Sequence, residues 1–132
     1  MKIAKWCGVA LVLGACASTR GAPAVRAERG QEFRVRQGDV AQVESLRLRF
    51  VRVTEDSRCP INARCIRAGS AKVQVELRAP GMAAAEPVLE TPDTPRGATF
   101  GPYEVEVTDL QPGRDLDAPA PRFEAAFRVR RR

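Results

Sequence analysis

The chain of 132 residues contains no histidine. A Ser-His-Asp triad, a Cys-His nucleophile pair and a histidine-ligated zinc site therefore lie outside what it can build alone. Aromatic residues make up 5% of the sequence, and its one Trp is Trp6. Lys72 is the only lysine beyond Lys5. None of the serines (Ser18, Ser45, Ser57, Ser70) stands in a G-x-S-x-G or S-x-x-K pattern, so a serine–lysine hydrolase has little to work with. A glycine-rich phosphate loop and a dinucleotide fingerprint are also missing, and no cofactor is expected.

What is present begins with an address. Lys2 and Lys5 form a short positive region, followed by an uncharged stretch from Trp6 to Ala17. That stretch is shorter than the roughly 20 residues needed to cross a hydrocarbon core, and it has the size of a signal-peptide apolar segment. Its end, Leu13-Gly14-Ala15-Cys16, resembles the lipobox of bacterial lipoproteins: a branched apolar residue, two small residues, then Cys. The resemblance implies cleavage before Cys16 and diacylation of its sulfur. Acyl chains there, with a further one on the amino group, would anchor the chain stably to a membrane. The rival reading is an ordinary secretory signal. Ala17, where inner-membrane retention signals usually place Asp, directs the expectation to the outer membrane.

Four cysteines are present, but Cys7 falls inside the signal and Cys16 at the lipid site. Cys59 and Cys65 are left as the pair of the exported part. In an oxidising compartment they are expected to close into a disulfide, helped by the turn-forming Pro60 and Asn62 between them. A redox or metal pair is disfavoured, because the spacing is longer than C-x-x-C and no other Cys or His is available.

Residues 16–30 are rich in Ala, Arg, Gly, Pro and Ser without apolar period, and read as a lipidated flexible tether after a signal at 1–15. Residues 31–132 read as one domain. Two-residue alternation dominates it. Phe33 and Val35 alternate with Glu32, Arg34 and Arg36. Val40 and Val43 mark a short strand, and Leu46, Leu48 and Phe50 alternate with arginines. At Phe50-Val51 the phase flips, which predicts a bulge or a strand that changes sheets. Ala71–Leu77, Tyr103–Val107 and Phe123–Val129 alternate cleanly, with shorter strands at Val88–Glu90 and Ala98–Phe100. Pro- and Gly-rich turns separate them. Seven to eight short strands predict an all-β fold, a small β-sandwich or open barrel. Met82–Ala85 has helix propensity but is too short for a helix.

The most distinctive run is Glu55-Asp56-Ser57-Arg58-Cys59-Pro60. Asp56, Arg58 and Arg64 form a candidate binding loop displayed by the disulfide. The structural alternative is a corner in which Asp56 makes an Asx-turn or pairs with Arg58 or Arg64. Asp56-Ser57-Arg58-Cys59-Pro60, then Cys65, then Ala68-Gly69-Ser70-Ala71, resembles a family of uncharacterised bacterial secreted proteins and lipoproteins with a D-S-R-C-P…C…A-G-x-A pattern. The resemblance covers most of residues 31–130. It implies the fold and the disulfide, and the family carries no settled activity. Arg67 departs from it, standing where the family often has Trp.

Carboxylates offer a further possibility. Glu104 and Glu106 share a strand face, and Asp109, Asp115 and Asp117 follow. Such groups serve acid–base chemistry or bind calcium. Asp115-Leu116-Asp117 lacks the D-x-D-x-D-G signature, and Glu opposite Arg on a strand is more often a solvated face. No catalytic residue and no metal ligand is assigned.

The net charge of +6 falls to +4 once Lys2 and Lys5 leave with a signal. Four charges match Arg128, Arg130, Arg131 and Arg132, which suggests a formally neutral domain with a basic end. A grip on anionic envelope polymer by that end is conceivable chemistry for arginine; nucleic acid is not an expected partner. The expected function is that of an outer-membrane-anchored lipoprotein serving as a non-enzymatic binding or envelope-structural module, with an envelope protein or anionic polymer as partner. Inhibition of a hydrolase is the alternative, and a periplasmic hydrolase stands behind it.

Overall fold

A computed structural model describes residues 23–91 and 97–132. The signal at 1–15 and the lipid site Cys16 lie outside the described residues. The strands are β1 (Val25–Ala27), β2 (Glu32–Arg36), β3 (Val40–Val43), β4 (Leu46–Asp56), β5 (Ala71–Arg78), β6 (Val88–Glu90), β7 (Ala98–Phe100), β8 (Tyr103–Gln111) and β9 (Glu124–Arg131). No helix occurs among the described residues. Met82–Ala85 follows a turn at Pro80-Gly81, and its last residue, Ala85, bridges to Leu77.

The strands form two sheets. The first has the order β1-β3-β4-β5-β6 and the second β2-β9-β8-β7. The fold is thus a small β-sandwich, and the open-barrel alternative falls away. All pairings are antiparallel except β1 with β3. Order begins earlier than the expected boundary at residue 31. β1 lies within the segment read as tether, with Val25 opposite Ala41 and Ala27 opposite Val43. Its three residues are too few for alternation to register in the sequence.

The alternation has a physical cause: every inward position faces the other sheet. Leu46, Leu48, Phe50, Val73, Val75 and Leu77 from the first sheet meet Val35, Val105, Phe127 and Val129 from the second, all buried. The ring of Phe127 lies 6.0 Å from that of Phe50, nearly edge-on, and 6.2 Å from that of Phe33. Each such side chain contributes roughly 1.5–3 kcal/mol of burial. Tyr103, also buried, shares a 2.8 Å hydrogen bond between its hydroxyl and that of Ser45.

The phase flip at Phe50-Val51 is a bulge. β4 keeps its partner β5, and the register shifts between Phe50 and Arg52 and again between Val53 and Glu55. A bulge between Val107 and Asp109 of β8 likewise turns Leu110 into the core. The ends of β4 and β8 meet beside the loop of Cys59 and Cys65, where Arg58 reaches the Leu110 carbonyl.

Candidate binding surface at the disulfide loop

Cys59 and Cys65 are bonded, with Cα atoms 5.8 Å apart. Asp56 closes β4, and its Oδ1 accepts the backbone N–H of Arg58 at 3.2 Å, forming an Asx-turn. The Arg58 guanidinium then folds back on Asp56 in a two-point clasp, Nε to Oδ1 at 2.9 Å and Nη2 to Oδ2 at 2.8 Å. Its remaining edge reaches β8 and the loop beyond: Nη1 donates to the Leu110 carbonyl at 2.6 Å and Nη2 to that of Pro112 at 2.9 Å. Both side chains are largely shielded, 17% and 18% exposed. The hydrogen bond from Arg58 holds the Asp56 carboxyl below its ordinary value; burial opposes this, and the Arg58 backbone and the charges of Arg58 and Arg114 add to it.

The next motif residue ties the loop from the other side. Ser57 N–H donates to the Ser70 carbonyl at 2.8 Å, and its hydroxyl donates to the same oxygen at 2.9 Å. A Cβ on Gly69 would run into the Ser57 carbonyl. The D-S-R-C-P and A-G-x-A segments are therefore packed backbone to backbone.

The tip of the loop is joined to the segment between β8 and β9. Ile61 N–H donates to the Arg114 carbonyl at 2.8 Å. The Asn62 side-chain amide donates to Asp115 Oδ1 at 3.1 Å and to Asp117 Oδ2 at 3.0 Å, and its oxygen accepts from Leu116 N–H at 3.4 Å. Arg114 Nη1 donates to the Arg58 carbonyl at 3.3 Å. Two loops distant in sequence thus form one surface. On it stand Ile61, 72% exposed, and Leu116, 60% exposed; Ile66, next to Cys65, is fully exposed. Beside it lies a cleft of about 210 Å³, walled by Ile61, Pro112, Pro119, Pro121 and Phe123 with Asp56 at its side.

The expected binding triad is split by this geometry. Asp56 and Arg58 hold each other and the β8 carbonyls, so the structural alternative holds for both. Arg64 is exposed, and it makes no hydrogen bond or ion pair among the described residues. Most of the carboxylates are likewise engaged: Glu106 with Arg128 and Arg130, Asp109 with Arg34, Asp115 and Asp117 with Asn62; Glu104 is exposed on β8. No group of three Cys, Asp or Glu among the described residues could hold a metal ion. Sequence reasoning missed Asn62 and Arg114 as the loop's fasteners. It also missed Ile61, Ile66 and Leu116 as an exposed apolar set; these break the alternation outside any strand, and that was the available signal.

Comparison with protein-family models, with curated proteins and with solved structures finds no match. The site stands on its own geometry.

Proposed function

We propose that this chain is an exported lipoprotein, anchored through Cys16 in the outer membrane, whose β-sandwich is a non-enzymatic binding module for an envelope protein. The observation that carries the binding role is the pinned pair of loops with Ile61 and Leu116 exposed on them, and Ile66 exposed next to Cys65. Exposed aliphatic side chains on a loop already fixed by a disulfide and by Asn62 give up little conformational freedom on binding. Large apolar side chains exposed on a fixed surface favour a contact role. The lipid anchor rests on the likeness of Leu13-Gly14-Ala15-Cys16 to a lipobox, and the export it implies is consistent with the closed disulfide.

A second reading, inhibition of a periplasmic hydrolase, uses the same surface. Arg64 projects from a closed loop with no internal partner among the described residues, as a residue offered to a protease pocket would. Envelope extracts from cells carrying a photo-crosslinker at position 66 test the binding role. A reproducible adduct should form and should vanish with Ile61→Asp and Leu116→Asp; no adduct, or one indifferent to both changes, refutes it. Alkyne-palmitate labelling tests the anchor: the wild-type chain should take the label and Cys16→Ser should not. A protease panel separates the inhibitor, which should lose potency with Arg64→Ala.

A further inference from the structure

The outer faces of the two sheets carry opposite electrostatic designs. On the second sheet each outward arginine has an acid: Arg34 with Asp109, Arg36 with Glu124, Arg128 with Glu32 and Glu106, and Arg130 with Glu106. Arg128 and Arg130, two members of the basic end expected from the sequence, are therefore compensated within the sheet.

The first sheet is different. Its registered pairs place Arg26, Gln42, Arg47 and Arg78 in one row across β1, β3, β4 and β5. The next row holds Val40, Arg49 and Glu76, and Arg52 stands opposite Gln74 beyond the bulge. Five arginines thus share a face with Glu76 as the acid of those rows. Lys72, with Glu55 and Glu90, lies one row further on. At the near margin Glu44 is already paired with Arg29, and Glu86 acts on Arg78 from the loop side.

Arg47 and Arg78 are direct cross-strand partners, an arrangement that destabilises a sheet when nothing neutralises it. Arg78 is bonded to Glu76 at 2.7 Å; that bond, and the charges of Arg78, Arg49 and Arg47, hold the Glu76 carboxyl low although burial opposes it. One carboxylate cannot neutralise three arginines. The side chains of Arg26, Arg47 and Arg49 make no hydrogen bond or ion pair among the described residues. Between Arg47, Arg49, Arg78, Glu76 and Val40 lies an open depression of about 330 Å³.

We infer that this face docks on a membrane surface through the phosphates of anionic lipids. Charge complementarity selects the chemistry, since unpaired guanidinium groups match phosphate oxygens in a two-point geometry. Position selects the membrane, and here the inference rests on the lipoprotein reading. Eight residues lie between Cys16 and Val25, so an acylated Cys16 keeps β1 within about 30 Å of the bilayer. β1 is the edge of this sheet and carries Arg26 on the basic face. The acyl chains at Cys16 would hold the chain at the membrane, and the basic face would set how the domain lies against it. The loop surface with Ile61 and Leu116 lies elsewhere and keeps its own partner.

The test uses the chain from Ala17 to Arg132, so that neither the apolar signal nor an acyl chain contributes, with the disulfide closed. Flotation with vesicles containing phosphatidylglycerol should recover the chain at low salt, and recovery should fall as salt rises. Each charge near such a surface changes binding by about fivefold. Arg47→Gln, which breaks no hydrogen bond, should weaken recovery by about that factor. Arg47→Gln with Arg49→Gln and Arg78→Gln should weaken it about a hundredfold. The same number of Arg→Gln changes at Arg34, Arg36 and Arg130 should cost much less. Equal loss from both sets, binding unchanged by the first set, or saturation by inorganic phosphate without vesicle binding would each overturn the proposal. Because the acyl chain is absent, these outcomes are independent of palmitate labelling at Cys16, which tests the anchor alone.

Discussion

Arg58 grips Asp56 with two nitrogens and caps the carbonyls of Leu110 and Pro112 with the same group. Arg58→Ala would leave a shielded carboxylate without its partner and two carbonyls without a donor. The expected loss is about 3 kcal/mol, the low end for a broken buried pair. It should appear as a lower denaturant midpoint with an unchanged slope. Arg58→Lys should recover only part of it, because an ammonium cannot reproduce the fork. Acid should probe the same pair. The folded carboxyl of Asp56 is depressed below the unfolded value of about 3.9, so its contribution is complete above that value and is lost as pH falls through the lower folded one. Between about pH 5 and pH 2 the wild type should therefore lose more stability than Asp56→Asn. Parallel losses would show that the clasp contributes nothing through ionisation. Asp56, Arg58 and Arg64 were legible as a group in the sequence, because the run is charged and abuts a cysteine loop. Which of them faces solvent was not, since the acceptors on Leu110 and Pro112 are main-chain atoms with no sequence signature.

β4 and β5 are joined by a segment that folds back on itself, and Gly69 is where it comes closest. Gly69→Ala would set a methyl against the Ser57 carbonyl and force the two backbone segments apart. A cost of about 2–3 kcal/mol is expected, the range for overpacked sites. Amide exchange at Ser57, whose N–H bonds to Ser70, should speed up with it; protection equal to wild type would contradict the close approach. The eight strands expected between Glu32 and Val129 correspond to β2 to β9; the longer ones are legible because a strand with one buried face repeats every second residue. Bulges were visible only where they shifted that phase. At Phe50-Val51 the apolar residues changed face and betrayed one; at Val107–Asp109 Thr108 masked the shift, and Leu110 gave the sole trace. β1 was hidden among Pro, Arg and Gly, and it exists because β3 offers it an open parallel edge.

Phe127 stands at the centre of the whole sandwich, touching Phe33 in its own sheet and Phe50 in the other. Phe127→Ala should cost about 3–5 kcal/mol and lower the thermal midpoint in one cooperative step. Separate melting of the two sheets would show that they do not share one core. At this scale the charge is instructive as well. A formally neutral body with a basic end became a neutral face and a basic face once the strands were paired. The sequence by itself determined the all-β class, the strands with a buried face and the closure of Cys59 on Cys65. It could do so because burial periodicity and short-range covalent reach are local properties of the chain. Only the tertiary structure decided that there are two sheets rather than an open barrel, that Arg58 is a fastener and Arg64 is exposed, and that five arginines gather on one face. Each of those depends on which strand lies beside which, and register between residues far apart in sequence leaves no mark in any one of them.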